Sequence, residues 1–501
     1  MMMGNDNTIP MTSSYVTNSV SWKLALQIYI LCEFVFAIIY FKFIFPHANT
    51  RTKPADYRDY GRDRHLLLIR ILNRMKRTWC RKGEPFAPKF KSFLRTYFLD
   101  NPNKSSSYSN QPSDKTNEYQ QELLLKDNVD DFMAWGFFGK KTHELVDWEQ
   151  KEMDKLYGIM EKDYGVIFSK GRIHEIKACL ANVDDVEGLW RPLAFYIIFI
   201  SIHFVTIILL RCCGFRHYKT KTGLKYWFRP ETGIQQKEKL LPLLFFHGIA
   251  PGGVFVYLPM LLFGLCNDGR ASFFFQNPPI SCTCSFHALT EDETVKGVEE
   301  AINQHLNKNT KIIISGHSFG SCQMTWLLHA MPQRIKHMLL IDPVSILICY
   351  PDTMQNFMYK QDAIQTLDGA KTHLLASTEV FIQHYLRRRV SWYNSELWLD
   401  DVPDDIQVTV CLSGEDTIVN SSAVRCEIEI TNEIRKEHKQ DSSPAVSHND
   451  RSSQQQSVDL IWWPNDGHGS CLFLPQSWIQ LKNKIVEQDR IYGKERISHI
   501  D

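Results

Sequence analysis

Two stretches of this chain are apolar almost without a break. Leu24 to Phe45 is interrupted only by Gln27, Glu33 and Lys42. A helix rises 1.5 Å per residue, so about 20 such residues span the hydrocarbon core of a bilayer. Residues 22–45 are therefore predicted to form a membrane anchor, with Glu33 as its expensive interruption and Lys42 near enough to the end to snorkel. Pro192 to Leu210 is the second run, with His203 as its ionisable group, and residues 191–211 are predicted to form a second membrane segment. Residues 1–21 are polar. Between the two runs, residues 46–190 read as a basic and helical accessory region. Leu67, Leu68, Ile71, Leu72 and Met75 recur there at helical spacing, as do Leu145, Trp148, Met153, Leu156, Tyr157 and Met160. A polar stretch at about 101–120 has the composition of a disordered linker.

From Lys225 the pattern changes. Short apolar runs at Leu240–Phe246, Ala271–Phe275, Ile312–Ile314, His337–Asp342, Ile406–Leu412 and Leu460–Trp463 read as buried strands. Amphipathic stretches separate them, Thr290–Leu306 among them, and Val254–Leu265 reads as an apolar helix. This alternation predicts an α/β domain over residues 225–501, with a mostly parallel sheet and crossover helices. Residues 345–403 break the rhythm and are rich in aromatic residues, which suits a lid over a cleft. Residues 435–458 are charged and Ser/Gln-rich, as a flexible insertion would be.

Charge and cysteine content narrow the setting. A net charge of +1 over 501 residues argues against a nucleic-acid binder. The thirteen cysteines are scattered and form no paired C-x-x-C, so they read as reduced thiols in a cytosol-like compartment. Between Arg51 and Arg95 fourteen Lys/Arg face four Asp/Glu. This is expected to be either a basic amphipathic helix lying on anionic headgroups or a plain solvated basic helix. Both apolar runs have basic residues on their C-terminal side. Two successive spans cannot both place that side in the cytosol, so either the second run dips into one leaflet or the C-terminal domain faces a lumen. The free thiols favour a cytosolic C-terminal domain. Cys212 and Cys213, next to the second run, are candidates for palmitoylation.

The candidate chemistry centres on Gly316-His-Ser-Phe-Gly320, a G-x-S-x-G between a predicted strand and a predicted helix. In that context Ser318 projects from a strained turn as a nucleophile, and the N–H of Phe319 faces a developing oxyanion. About 70 residues upstream, a strand ends in His247-Gly-Ile-Ala-Pro-Gly-Gly253. The Ile249 N–H is the second oxyanion donor expected, and His247, Gly248 and His317 are the substrate-contacting residues expected. Downstream, Asp416 follows a strand and a glycine, and His468 lies in a Gly-His-Gly loop after the last strand. His468 is the expected general base and Asp416 the acid that orients it, with Glu415 and Asp342 in reserve. His337 and Asp342 also spell H-x-x-x-x-D; a buried strand would send the two side chains to opposite ends, so this match is read as chance.

The order Ser318…Asp416…His468, each after its own strand and preceded by a His-Gly loop, resembles the α/β-hydrolase fold superfamily, and within it the membrane-anchored serine lipases and esterases. The resemblance covers about Lys225 to Asp501. It implies a central, mainly parallel sheet with a lid inserted after the sixth strand. Members of the superfamily that are dehalogenases or epoxide hydrolases carry an aspartate where this chain has Ser318, which disfavours those reactions. The expected activity is hydrolysis of a carboxylic ester of a membrane lipid, of monoacylglycerol or lysophospholipid type, through an acyl-enzyme. It needs no metal and no organic cofactor. An acyltransferase would use the same triad, and a non-catalytic binding module is the rival from another class.

Overall fold

The computed structural model describes residues 14–51, 63–80, 83–100, 124–232, 240–359, 367–441 and 457–498. The expected linker at about 101–120 lies outside them, as do residues 1–13 and residues 442–456 of the expected insertion.

An eight-stranded sheet organises the C-terminal half. Its strands are β1 (Arg216–Lys219), β2 (Lys225–Arg229), β3 (Leu243–Phe246), β4 (Ser272–Phe275), β5 (Ile312–His317), β6 (Ile335–Ile341), β7 (Gln407–Ser413) and β8 (Asp459–Trp463). In space they run 1-2-4-3-5-6-7-8. Strand β2 is antiparallel to both neighbours and every other pair is parallel. This order, with one reversed strand near the edge, is the α/β-hydrolase fold. Strands β3 to β7 are buried along their whole length. Helices cover both faces of such strands, which is why they read as unbroken apolar runs rather than alternating ones.

Two features depart from expectation. The domain begins at Arg216 rather than Lys225, directly after the second apolar helix, and two strands, β1 and β2, precede the first one expected. Strand β1 is an edge strand with mostly exposed, charged residues, so it carries no apolar signature. Val254–Leu265 is not one α-helix. It is a 3₁₀ turn, Gly253–Tyr257, followed by a π-helix, Met260–Leu265. Pro259 stands between the two and cannot donate to an α-helical ladder.

The N-terminal half packs against this domain. Helix α1 (Trp22–Asn49) is long and apolar enough to cross a membrane. Helix α2 (Arg64–Trp79) buries Leu67, Leu68, Leu72 and Met75 in one core with Trp398, Val424 and Ile428 of the C-terminal half. Helix α3 (Lys126–Phe138) adds Met133, Trp135 and Phe137 to that core. The expectation that the basic stretch lies on a membrane surface is therefore corrected for α2. Arg74 is buried, with Nη1 2.7 Å from Glu396 and Nε 2.9 Å from Glu427. Arg70 bonds Asp400 and Asp401, and both guanidinium groups lie over the Trp398 ring. Acidic side chains of the C-terminal half occupy these cations.

Helix α4 (Leu193–Cys212) is the second helix long and apolar enough to cross a membrane. The Glu33 carboxylate, midway along α1, accepts the Leu193 N–H at 2.9 Å. A helix start leaves N–H groups unpaired and carries partial positive charge, so the acid in the apolar run has a partner. Both helices are tied to the segment expected as a lid. Tyr196 Oη donates to Glu379 at 2.8 Å, His384 Nδ1 to the Ala48 carbonyl at 3.1 Å, and Arg191 Nη2 to the Leu374 carbonyl at 2.7 Å.

Replacing Arg74 tests the joint between the two halves. Arg74→Ala leaves Glu396 buried without a cation and Glu427 with only the more distant Arg77, 3.8 Å away, and unfolding should be easier by about 3–5 kcal/mol. The triple variant Arg74→Met, Glu396→Gln, Glu427→Gln should recover most of that loss in denaturant titrations, because no uncompensated charge remains.

Candidate active site

The site follows from the strand order. Strands β3 and β5 are neighbours, while β4 lies on the far side of β3. Connections leave the carboxyl ends of β3 and β5 in opposite directions, which opens a crevice there. Strand β3 ends at Phe246 and runs into the His247-Gly248-Ile249 loop; β5 ends at His317 and runs into Ser318.

Ser318 sits at φ +52°, a conformation that non-glycine residues seldom adopt, between β5 and helix α5 (Gly320–Ala330). Close crossing of the two elements enforces that turn. A Cβ on Gly320 would stand 2.2 Å from the Phe246 carbonyl oxygen, and one on Gly316 would stand 2.9 Å from the backbone of Gly320. The Ser318 N–H is held by the Ile341 carbonyl at 2.9 Å, and its own carbonyl accepts from Ser321 Oγ at 2.6 Å.

The three residues predicted from separate loops meet. Ser318 Oγ is 2.9 Å from His468 Nε2, and His468 Nδ1 is 2.6 Å from Asp416 Oδ2. The other Asp416 oxygen accepts the N–H groups of Ile418 and Val419 at 2.7 and 2.8 Å, which fixes the plane of the carboxylate. Glu415, held in reserve, is exposed. Asp342, the other reserve, is not the imidazole's partner. It is fully buried, and it accepts from Ser413 N–H at 2.8 Å, Ser413 Oγ at 3.0 Å and Gly469 N–H at 2.9 Å. It thus ties the loop that carries Asp416 to the loop that carries His468. Burial pushes its pKa up to about 6, against the pull of His468 and its hydrogen bonds. Asp342, Asp416 and His468 together have the donor types of a metal site, with ligand atoms within 4.8 Å of one another. Both imidazole nitrogens of His468, however, are already engaged in hydrogen bonds.

Ile249 and Phe319 line the same cavity as Ser318, and their N–H groups donate to no atom of the described residues. The Gly248 N–H is used up on Tyr257 Oη at 3.0 Å. That hydroxyl lies 2.9 Å from His317 Nδ1, and His317 Nε2 lies 3.9 Å from Asp342. Burial first, then the nearby His468, lowers the pKa of His317 well below its ordinary value, so this ring is a neutral wall of the cavity. The substrate-contact expectation is corrected for His247 and Gly248. The His247 ring is buried outside the cavity lining, with Nδ1 2.7 Å from the Gly248 carbonyl and Nε2 accepting the Asn277 N–H at 3.0 Å. It shapes the loop. Gly248 is there for closeness, since a Cβ on it would meet the His317 carbonyl and the Ser318 Cβ at 2.9 Å. His337 bonds Thr409 at 3.0 Å, remote in role from Asp342, as expected of a chance H-x-x-x-x-D.

The cavity has a volume of about 410 Å³ and mostly apolar walls. Ser318 and His468 lie in its wall. The expected lid supplies Met354, Phe357 and Leu386, and the N-terminal region supplies Ile71, Phe93 and Phe132. Sequence reasoning missed that second group, as it missed Tyr257. No local pattern separates a core aromatic residue from one that faces a cavity.

No protein-family model matches this chain, and no curated protein matches it in sequence. Among solved structures, a hyperthermophilic esterase from the archaeon Pyrobaculum calidifontis is 11% identical, and the match covers 61% of this chain and 94% of that one at a TM-score of 0.38. Carboxylesterase CesB from Bacillus subtilis is 10% identical over 59% of this chain and 99% of its own, at 0.35. An esterase from the fungus Rhizomucor miehei is 16% identical over 57% and 84%, at 0.37.

His468 has a pKa raised to about 9. Burial opposes the charged form but is outweighed by Asp416, with a smaller contribution from Asp342. An imidazole can accept the Ser318 proton only when neutral, so any reaction it assists should accelerate as pH rises through that value. Asp416→Asn removes the largest force holding the proton on. It should move this limb to lower pH and lower kcat by roughly 10⁴, as read from kcat/KM against pH with a soluble ester.

Proposed function

We propose that this chain is a membrane-bound serine hydrolase of carboxylic esters, and that its substrate is a lipid ester of monoacylglycerol or lysophospholipid type. The observation that carries the reading is the continuous chain Ser318–His468–Asp416, with hydrogen bonds of 2.9 and 2.6 Å, beside two unused N–H groups in an apolar cavity. Ser318 Oγ attacks the ester carbonyl while His468 Nε2 takes its proton. The oxyanion is received by the N–H groups of Phe319 and Ile249. His468 then gives the proton to the leaving alcohol, and an acyl-enzyme remains. Water, deprotonated by the same nitrogen, attacks in turn; the bond from the acyl carbon to Ser318 Oγ breaks, His468 returns the proton to Oγ, and the acid leaves. Asp416 keeps Nδ1–H directed inward and stabilises the imidazolium.

Four features support a lipid substrate reached from a membrane. The cavity walls are mostly apolar. Phe473 lines the cavity and is still 64% exposed, so apolar surface extends to its rim. Leu374, 56% exposed, belongs to the segment that Arg191 ties to the start of α4. Along α1 and α4, Leu31, Phe34, Phe43, Phe204 and Ile208 are among many exposed apolar side chains, far more than a soluble surface carries.

The test is fluorophosphonate labelling of membranes that express the wild type or Ser318→Ala. Strong labelling of the wild type that disappears in Ser318→Ala is the expected result. A well-folded wild type that takes no label removes the hydrolase reading.

A further inference from the structure

Among the described residues, one buried glycine lies where neither its backbone conformation nor a close neighbour requires it. Gly136 is inside α3, where glycine is the least favourable residue after proline. It is not among the glycines with positive φ. A Cβ built on it meets no atom of the described residues beyond its own helix within 4 Å, although the residue is buried. The space in front of it belongs to the cavity that Ser318 also lines.

The walls around that space are fixed and apolar. The Gly136 carbonyl accepts Trp392 Nε1–H at 3.1 Å. Phe132 packs against Tyr97 with ring centres 4.5 Å apart and against Trp135 at 5.7 Å. The Tyr97 hydroxyl is bonded to the Cys349 carbonyl, and the Asn182 side-chain amide to the Val390 carbonyl. The polar groups named here are thus satisfied within the protein, leaving an alkyl chain rather than a polar headgroup as the fitting occupant.

We propose that this part of the cavity, walled by the N-terminal region, is the acyl-chain pocket, and that Gly136 determines the length of chain it accepts by keeping the space beside α3 open. The inference rests on the ester hydrolase reading. It assigns substrate selection to α3, a helix outside the strand-and-helix domain that carries Ser318.

The experiment uses the full-length protein in lipid nanodiscs. The wild type, Gly136→Ala and Gly136→Phe are compared on p-nitrophenyl acetate, butyrate, decanoate and palmitate. In Gly136→Phe, kcat/KM for palmitate and decanoate should fall about tenfold or more, because each methylene excluded from an apolar pocket forfeits its burial. Acetate should stay within about twofold, and Gly136→Ala should stay close to the wild type. Gly136→Val gives the same reading if the phenylalanine variant does not fold. A parallel measurement needs no turnover: energy transfer from tryptophan to cis-parinaric acid, displaceable by palmitate and corrected with empty discs, in Ser318→Ala with and without Gly136→Phe. Binding that the second substitution abolishes supports the pocket even if no ester is cleaved, and it is then the hydrolase reading that fails. An unchanged chain-length profile overturns the proposal, as does equal loss on acetate and palmitate, or parinaric acid binding indifferent to residue 136.

Discussion

The buried carboxylate of Asp342 is the interaction on which the head of the sheet depends. Ser318, Asp416 and His468 arrive on three loops from three strands, and nothing in the strands alone fixes their separations. Asp342 accepts from both the N–H and the hydroxyl of Ser413, where β7 ends, and from the N–H of Gly469 in the histidine loop. One side chain thus holds the two loops at the spacing the imidazole needs. Its negative charge also helps to raise the pKa of His468. A group that binds three donors in a buried place rigidifies what it joins, because losing any donor would leave an unsatisfied charge. The strained φ of Ser318 is sustained in the same way, by the close crossing at Gly320 and the hydrogen bond that its N–H donates to the Ile341 carbonyl.

The second constraint joins the two halves of the chain. Helix α2 brings Arg74 into a buried site already holding Glu396 and Glu427. Glu396 also receives the N–H groups of Leu347 and Cys349, next to the cavity wall. A buried ion pair of this kind is weak evidence for stability, but it is intolerant of displacement. It registers α2, and with it the aromatic residues of the N-terminal region, over the cavity. The apolar helices are registered likewise, by Glu33 on the start of α4 and by Tyr196 on Glu379. The cavity, the residues over it and the two long apolar helices are thereby linked through polar contacts of defined direction, not through apolar packing alone.

Much of the strand-and-helix domain was legible because its signals are local. Runs such as Ile312–Ile314 are buried on both faces and therefore continuously apolar. Gly316 and Gly320 flank the serine because a Cβ at either place would collide with backbone. The Gly-His-Gly loop and the acid after β7 announced themselves by position after a strand. What the pattern misplaced has physical causes as well. The exposed strand β1 has no apolar face to display. The basic spacing of α2 looks the same whether the partner is a lipid headgroup or Asp400. His247 looked like a site residue because the sequence shows that it adjoins the loop, not which way its ring points.

By itself, then, the sequence determined the succession of strands β3 to β8, the serine turn, the order of the three residues at the site and the two long apolar helices. Each is encoded by spacing within a few residues or by length. The tertiary structure decided which carboxylate partners His468, which N–H groups stay unused, and that helices before residue 190 help to wall the cavity. Those outcomes depend on residues separated by tens to hundreds of positions competing for the same donor or the same space. That competition is settled only when the elements pack.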